Sequence, residues 1–163
     1  MVANTKSMKI LDIWNSYRNA HNKMNDAFKI ALSQYGVKEI PGSEHSPEVL
    51  KYFHDGGFTE IRDDETSWCS AFMCWCMFKA GIPHTGSLAA RSWLNWGKQV
   101  HEAQTGDVVI YWRESLSSWQ GHVGFFIRKE DSYIYTLGGN QSNSVCILKY
   151  SDKQLLGYRR WGI

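Results

Sequence analysis

Cys69 lies in the stretch Thr66-Ser67-Trp68-Cys69-Ser70-Ala71-Phe72-Met73, which opens an apolar run of helical spacing. The run reaches Phe78 and stops at Ala80-Gly81-Ile82-Pro83. Thr66 and Ser67 are both good helix caps, and Gly81 followed by Pro83 is a normal helix ending. Cys69 is therefore expected in a first helical turn. There, unpaired amides and the positive end of the helix dipole favour an anion such as a thiolate. A nucleophilic thiol needs a base, and the base needs an orienting group. His122 opens one strand-like run, and Asn140 closes another in Gly138-Gly139-Asn140-Gln141. Cys, His and Asn together can carry out acyl transfer. Each also has a structural explanation: a small buried thiol, a polar residue at a sheet edge, and an Asn supplying left-handed backbone in a turn. Their joint occurrence favours the chemical one.

Register arithmetic can bring the last two together. A three-residue turn over 130–132 pairs Lys129 with Tyr133, then Ile127 with Tyr135 and Phe126 with Thr136. Extended to the strand ends, it sets His122 opposite Asn140. Opposed residues share a face, with β-carbons about 4.5–5.5 Å apart. A two-residue turn would shift this pairing by one. The other histidines lack such a partner: His84 follows Pro83, and His21, His45, His54 and His101 lie in polar surroundings.

These residues need a scaffold. Met1 to Ser7 reads as a loose tail. Leu11, Trp14 and Tyr17 suit one face of a helix over Met8 to Met24, which several Asn residues weaken. A second helix is expected from Asn25 or Asp26, with Phe28, Ala31, Leu32 and Tyr35 as its stripe and Gly36 as its end. Glu39-Ile40-Pro41-Gly42 reads as a turn. Ser46-Pro47-Glu48 starts a third helix, which Gly56-Gly57 stops. After the cysteine helix, Ser87 caps a short helix over Leu88 to Trp96. The period then changes. Strands are expected at Val108 to Trp112, His122 to Ile127, Tyr133 to Leu137, Val145 to Tyr150 and Leu156 to Trp161, as an antiparallel meander. Helices first and strands last make an α+β layout.

Composition narrows the function classes. A chain of 163 residues with 43% hydrophobic content suits one ordinary core. With 18 basic and 16 acidic residues, net charge +2 gives no reason to expect nucleic acid. The cysteines Cys69, Cys74, Cys76 and Cys146 read as reduced thiols. Cys74 and Cys76 point about 200° apart on a helix, and no Cys/His motif completes a zinc site from Cys69 and Cys74. Neither metal nor cofactor is expected. Met1 to Leu11 lacks the pattern of a signal peptide, and no apolar run approaches the ~20 residues of a membrane span. The expectation is a monomer made in the cytoplasm that does not enter a membrane.

Six blocks occur in order: Glu39-Ile40-Pro41-Gly42; Trp68-Cys69-Ser70-Ala71-Phe72; Ala89-Ala90-Arg91-Ser92-Trp93-Leu94-Asn95-Trp96-Gly97; Gly106-Asp107-Val108-Val109; Trp119-Gln120-Gly121-His122-Val123-Gly124-Phe125; and Leu137-Gly138-Gly139-Asn140-Gln141-Ser142. From about Asp26 to Trp161 the chain resembles a bacterial and phage family of the NlpC and CHAP superfamily of papain-like cell-wall cysteine hydrolases. Ser67 departs from it, standing where proline is expected, and Met1 to Met24 lies outside it. The resemblance implies a papain-like α+β fold, with N-terminal helices and the nucleophile helix packed on a C-terminal antiparallel sheet of about five strands. It divides the chain into an extension, 1–24, and a hydrolase domain, 25–163. It implies Cys69 as nucleophile, His122 as base, Asn140 as third member, and cleavage of amide bonds in peptidoglycan stem peptides.

The loop Arg113 to Gly121 leads into His122 and should border the site. Trp68, Arg91, Trp119 and Gln120 are the substrate-contact candidates. Arg91 could pair a stem-peptide carboxylate or simply lie on a helix surface. Trp119 could meet substrate or pack its loop down. A phage lysin or a secreted antibacterial effector would suit such a chain, delivered to the wall through a holin or a secretion machine and held in check by an immunity or inhibitor protein. A non-catalytic wall-binding adaptor or an acyltransferase could use the same fold.

Overall fold

The computed structural model describes residues 10–162, with the side chains at 10, 11, 13 and 17 left out. The tail expected over 1–7 and the stripe residues Leu11 and Tyr17 lie outside what is described. Its centre is helix α3, Cys69–Lys79, buried on every side from Cys69 to Met77. A helix apolar all round must sit between layers. One layer is α1, Ile10–Ser33, with α2, Pro47–Asp55. The other is a six-stranded antiparallel sheet: β1 Lys98–Val100, β2 Val108–Trp112, β3 Gly121–Glu130, β4 Tyr133–Gln141, β5 Ser144–Ser151 and β6 Leu155–Arg160. This is the expected α+β, papain-like arrangement, with one strand more than foreseen.

The N-terminal helices differ from expectation. One 24-residue helix replaces two. Asn25 interrupts nothing: its propensity costs about 0.7 kcal/mol at most, and Met24, Ala27 and Ala31 bury a face around it. The buried stripe is that set, with Phe28 partly buried beside it, while Leu32 and Tyr35 face outward. The helix ends at Ser33, three residues short of the expected stop, and Gly36 takes φ +92° in the turn that follows. Ser46 caps α2 as read, its hydroxyl accepting from the Val49 amide at 3.4 Å. Before α3 the cap differs. Thr66 is bonded back to Asp63 Oδ1, and Trp68 is the cap residue without a side-chain cap bond. Cys69 is still the first helical residue. The segment after Ser87 is a short 3-10 helix, Ala90–Asn95.

The sheet order is β1-β6-β2-β3-β4-β5. β2 to β5 form the expected meander, but β6 crosses back to pair with β2 and β1. An ion pair anchors that crossing. Arg160 donates from Nε to Asp107 Oδ1 at 2.7 Å and from Nη2 to Oδ2 at 2.6 Å, and Asp107 also accepts from the Gln104 amide. The Gly-Asp pair ahead of β2 thus holds the last strand. Ser70 does similar work across layers. Its hydroxyl donates to Ser87 O at 2.6 Å and accepts from Trp93 Nε1 at 2.9 Å, tying α3 to the 3-10 helix.

Candidate active site

The β3–β4 hairpin closes with a two-residue turn, since Glu130 pairs with Tyr133. A bulge at Ile127 then removes one residue of offset, so Phe126 meets Thr136 and Phe125 meets Leu137, as expected at the site end. The pairing does not carry through to His122 and Asn140. β4 gains one residue against β5 between Gly138 and Gln141, and Asn140 takes φ +55°. That bulge reverses the alternation of faces. It turns Gln141, not Asn140, onto His122.

Gln141 is buried, and its amide orientation is fixed. Nε2 donates to Thr136 O at 3.2 Å and to Cys146 O. Oε1 must therefore face His122 Nε2, at 2.9 Å, and it also accepts from Tyr150 Oη at 3.0 Å. The ring consequently carries its proton on Nε2 and presents a lone pair at Nδ1. The other side of the ring leads to the same tautomer, because Nδ1 accepts from Arg113 Nη2 at 3.2 Å and arginine can only donate. Tyr150 stacks on the imidazole, with ring centres 5.1 Å apart, and Tyr111 lies beyond at 6.5 Å.

Asn140 does something else. With its amide oriented to satisfy both ends, Oδ1 accepts from the Trp68 amide at 3.0 Å and Nδ2 donates to Glu39 Oε1 at 3.3 Å. It secures the start of α3. Gly139 permits this approach: a β-carbon there would sit 2.6 Å from the Trp68 ring and 2.7 Å from Phe72 Cβ.

Cys69 and His122 have Arg113 and Tyr150 as common neighbours. The sulfur lies against the Val123 backbone, with Ser67 and the Ser70 amide as further hydrogen-bond partners, and it feels the charge of Arg113. It lines a cleft of about 290 Å³ with Ser67, Leu88, Arg113, Trp119 and Gln120. Electrostatics differ from a ready thiolate. Burial pushes the Cys69 thiol up, against the pull of Arg113 and the hydrogen bonds. Burial and then Arg113 push His122 down to about 3, with the Gln141 bond opposing. The resting pair is neutral thiol and neutral imidazole.

Of the substrate-contact candidates, Trp119 and Gln120 line the cleft, and Trp119 is 78% exposed. Trp68 does not qualify. It is fully buried, packs on Tyr52 and Phe72, and donates its indole N–H to Glu39. Arg91 is also spent. Its guanidinium donates to Gln120 O, Ser115 O and Leu116 O, so it clamps the 113–121 loop rather than reaching for a ligand. His45 is not simply solvated either, since Nδ1 meets buried Asp64 at 3.1 Å. The sequence reading missed Gln141, Arg113 and Tyr150. Only an asparagine in a strand-end Gly-Gly-Asn-Gln, a residue type that tolerates left-handed φ, hinted that parity would break there.

Residues 61–140 match the model of the CHAP domain. No curated protein sequence matches the chain. Among solved structures, one is described as similar to a lipoprotein of the NLP/P60 family, from Staphylococcus aureus subsp. aureus Mu50. It shares 20% identity at a TM-score of 0.48, over 85% of this chain and 41% of that one. This chain thus spans less than half of that protein.

Proposed function

We propose that this chain, whose residues 61–140 match the CHAP domain, is a member of the NlpC/CHAP superfamily and a thiol hydrolase cutting an amide bond in cell-wall stem peptides. One observation carries the reading. A first-turn cysteine at a cleft shares Arg113 and Tyr150 as neighbours with a histidine whose Nε2 is locked to a carboxamide, leaving Nδ1 as the base position. Members of this family are generally cysteine peptidases or amidases.

The steps follow from that geometry. The Cys69 proton passes to His122 Nδ1 as the sulfur bonds to the scissile carbonyl carbon, whose π electrons move to oxygen. The Cys69 amide, at the start of α3, is a built-in donor for that oxyanion. Collapse breaks the C–N bond, and the amine leaves with the Nδ1 proton. Water then gives a proton to Nδ1 and attacks the thioester. The C–S bond breaks and the thiol recovers its proton. Gln141 takes the third place that the resemblance implied for Asn140, while Asn140 positions the nucleophile helix.

Endopeptidase or amidase action, a phage lysin or antibacterial effector as context, delivery to the wall by a holin or secretion machine, an immunity or inhibitor protein as partner, and residues 1–24 as a separate extension belong to the same proposal. No described helix is long and apolar enough to cross a membrane. Purified peptidoglycan provides the test. Wild type should release new amines, and Cys69→Ala and His122→Ala should each lower release by about 10³-fold or more. Wild-type rates in either variant would remove the proposal. An adaptor would bind walls without releasing amines.

A further inference from the structure

The other well-bonded arginines in the site and sheet rest on carbonyl or carboxylate oxygens. Arg91 holds three carbonyls, Arg128 has Glu130, Arg159 has Leu94 O and Tyr158 O, and Arg160 has Asp107. Arg113 instead bonds an uncharged imidazole nitrogen and the Tyr150 hydroxyl, and neither carries a charge to match its own. Among the described residues, no acidic one lines the cleft it faces. Its backbone is pinned, because its amide donates to Gln120 O at 3.2 Å, but the residue is exposed and its side chain can swing.

Two consequences follow. While the guanidinium occupies Nδ1, that lone pair cannot take the thiol proton. A carboxylate offers arginine a charge-assisted, bidentate bond stronger than a neutral nitrogen can. We propose that Arg113 sets substrate selectivity: a free carboxylate beside the scissile amide draws its guanidinium off His122, and only then can His122 take the Cys69 proton. The proposal rests on the hydrolase reading for its substrate, but not for the movement of Arg113. Peptides whose neighbouring carboxyl is amidated would leave the guanidinium in place and be poor substrates.

Alkylation of Cys69, followed by peptide mass spectrometry, tests the gate without any substrate. Iodoacetate carries the carboxylate and iodoacetamide does not. In wild type, the iodoacetate-to-iodoacetamide rate ratio at Cys69 should exceed that at Cys146 of the same molecule by about tenfold. Arg113→Gln should bring the Cys69 ratio down by about the same factor and raise the iodoacetamide rate, while Arg113→Lys should keep part of the preference. Equal ratios at Cys69 and Cys146 in wild type would overturn the proposal, whether or not the Gln variant folds. So would an unchanged ratio in a folded Arg113→Gln. Matched peptides with a free or amidated carboxyl then test selectivity: wild type should favour the free acid by about tenfold, and Arg113→Gln should lose that preference. If no peptide is cut by any form while the alkylation ratios hold, the hydrolase reading fails and the gate stands.

Discussion

The two walls of the cleft are built differently. On the sheet side, His122 is held on every edge: Gln141 at Nε2, Tyr150 across its face, and the Gln141 amide satisfied in turn by two carbonyls and a phenol. Nothing there can rotate without orphaning a buried polar group. On the loop side, 113–121 offers Trp119 at 78% and Leu116 at 66% exposure, and Arg91 fastens it from below through carbonyls alone. One wall fixes a proton position; the other leaves side chains available to a ligand. The difference teaches that immobility and exchange are separated by element, so substitutions on the two walls should fail in different ways.

The largest effect is expected from breaking the rigid wall at its second residue. Gln141→Ala frees the imidazole to change tautomer and leaves buried partners unsatisfied. It should lower kcat by about hundredfold and cost about 3 kcal/mol in urea denaturation. Asn140→Ala should cost about 1–2 kcal/mol through the loosened helix start, with kcat within about tenfold. The reverse ranking in wall-digestion assays would restore Asn140 as the base's partner.

The buried ring also gives the rigid wall a pH signature. Unfolded, His122 binds a proton near its ordinary value of about 6.5; folded, it does so only near about 3. Between those values the unfolded chain holds more protons, so stability falls as pH drops. The expected slope is about 1.4 kcal/mol per pH unit below 6.5. Urea melts at pH 7, 6 and 5 should show it in wild type and not in His122→Gln. A wild-type curve flat from pH 7 to 5 would mean the ring is reached by water.

The loop wall should respond more gently. Arg91→Ala releases three carbonyls at once, so the loop loses its shape while the sheet stays whole. About a tenfold fall in kcat/KM is expected, with the urea midpoint nearly unchanged. If Arg91 instead bound a substrate carboxylate, the loss would vanish on amidated peptides, whereas a clamp loses both substrates alike.

How much of this was legible beforehand depended on the range of the interaction. The cysteine helix, its end at Gly81 and the Ser46 cap rest on local chemistry, and the sequence carries them. The meander strands follow from period and short turns. The β6 crossing depends on Asp107 meeting Arg160, 53 positions apart, which no local pattern encodes. The hairpin is the instructive case. A wrong turn length and an unforeseen bulge at Ile127 offset each other, so the site-end register came out as expected. A second bulge at Gly139 and Asn140 then exchanged one amide for its neighbour. Composition marks such extra residues weakly, because the energy that selects them comes from Trp68 and Phe72 packing on Gly139. Trp68 and Arg91 misled for a related reason: their types suit ligands, and only tertiary contacts reveal that they are already used.

Trp119 is the smallest and sharpest case. Its side chain is largely exposed. Replacing it with alanine should leave the urea midpoint within about 0.5 kcal/mol, as for an ordinary surface change. If its ring contacts substrate in the ground state and the transition state alike, KM should rise about threefold to tenfold while kcat holds. Trp119→Phe should recover most of that loss by keeping an aromatic face. A fall in kcat with KM unchanged would instead place Trp119 with the rigid wall, acting on the geometry of His122 through Gly121, and the division between the two walls would no longer stand.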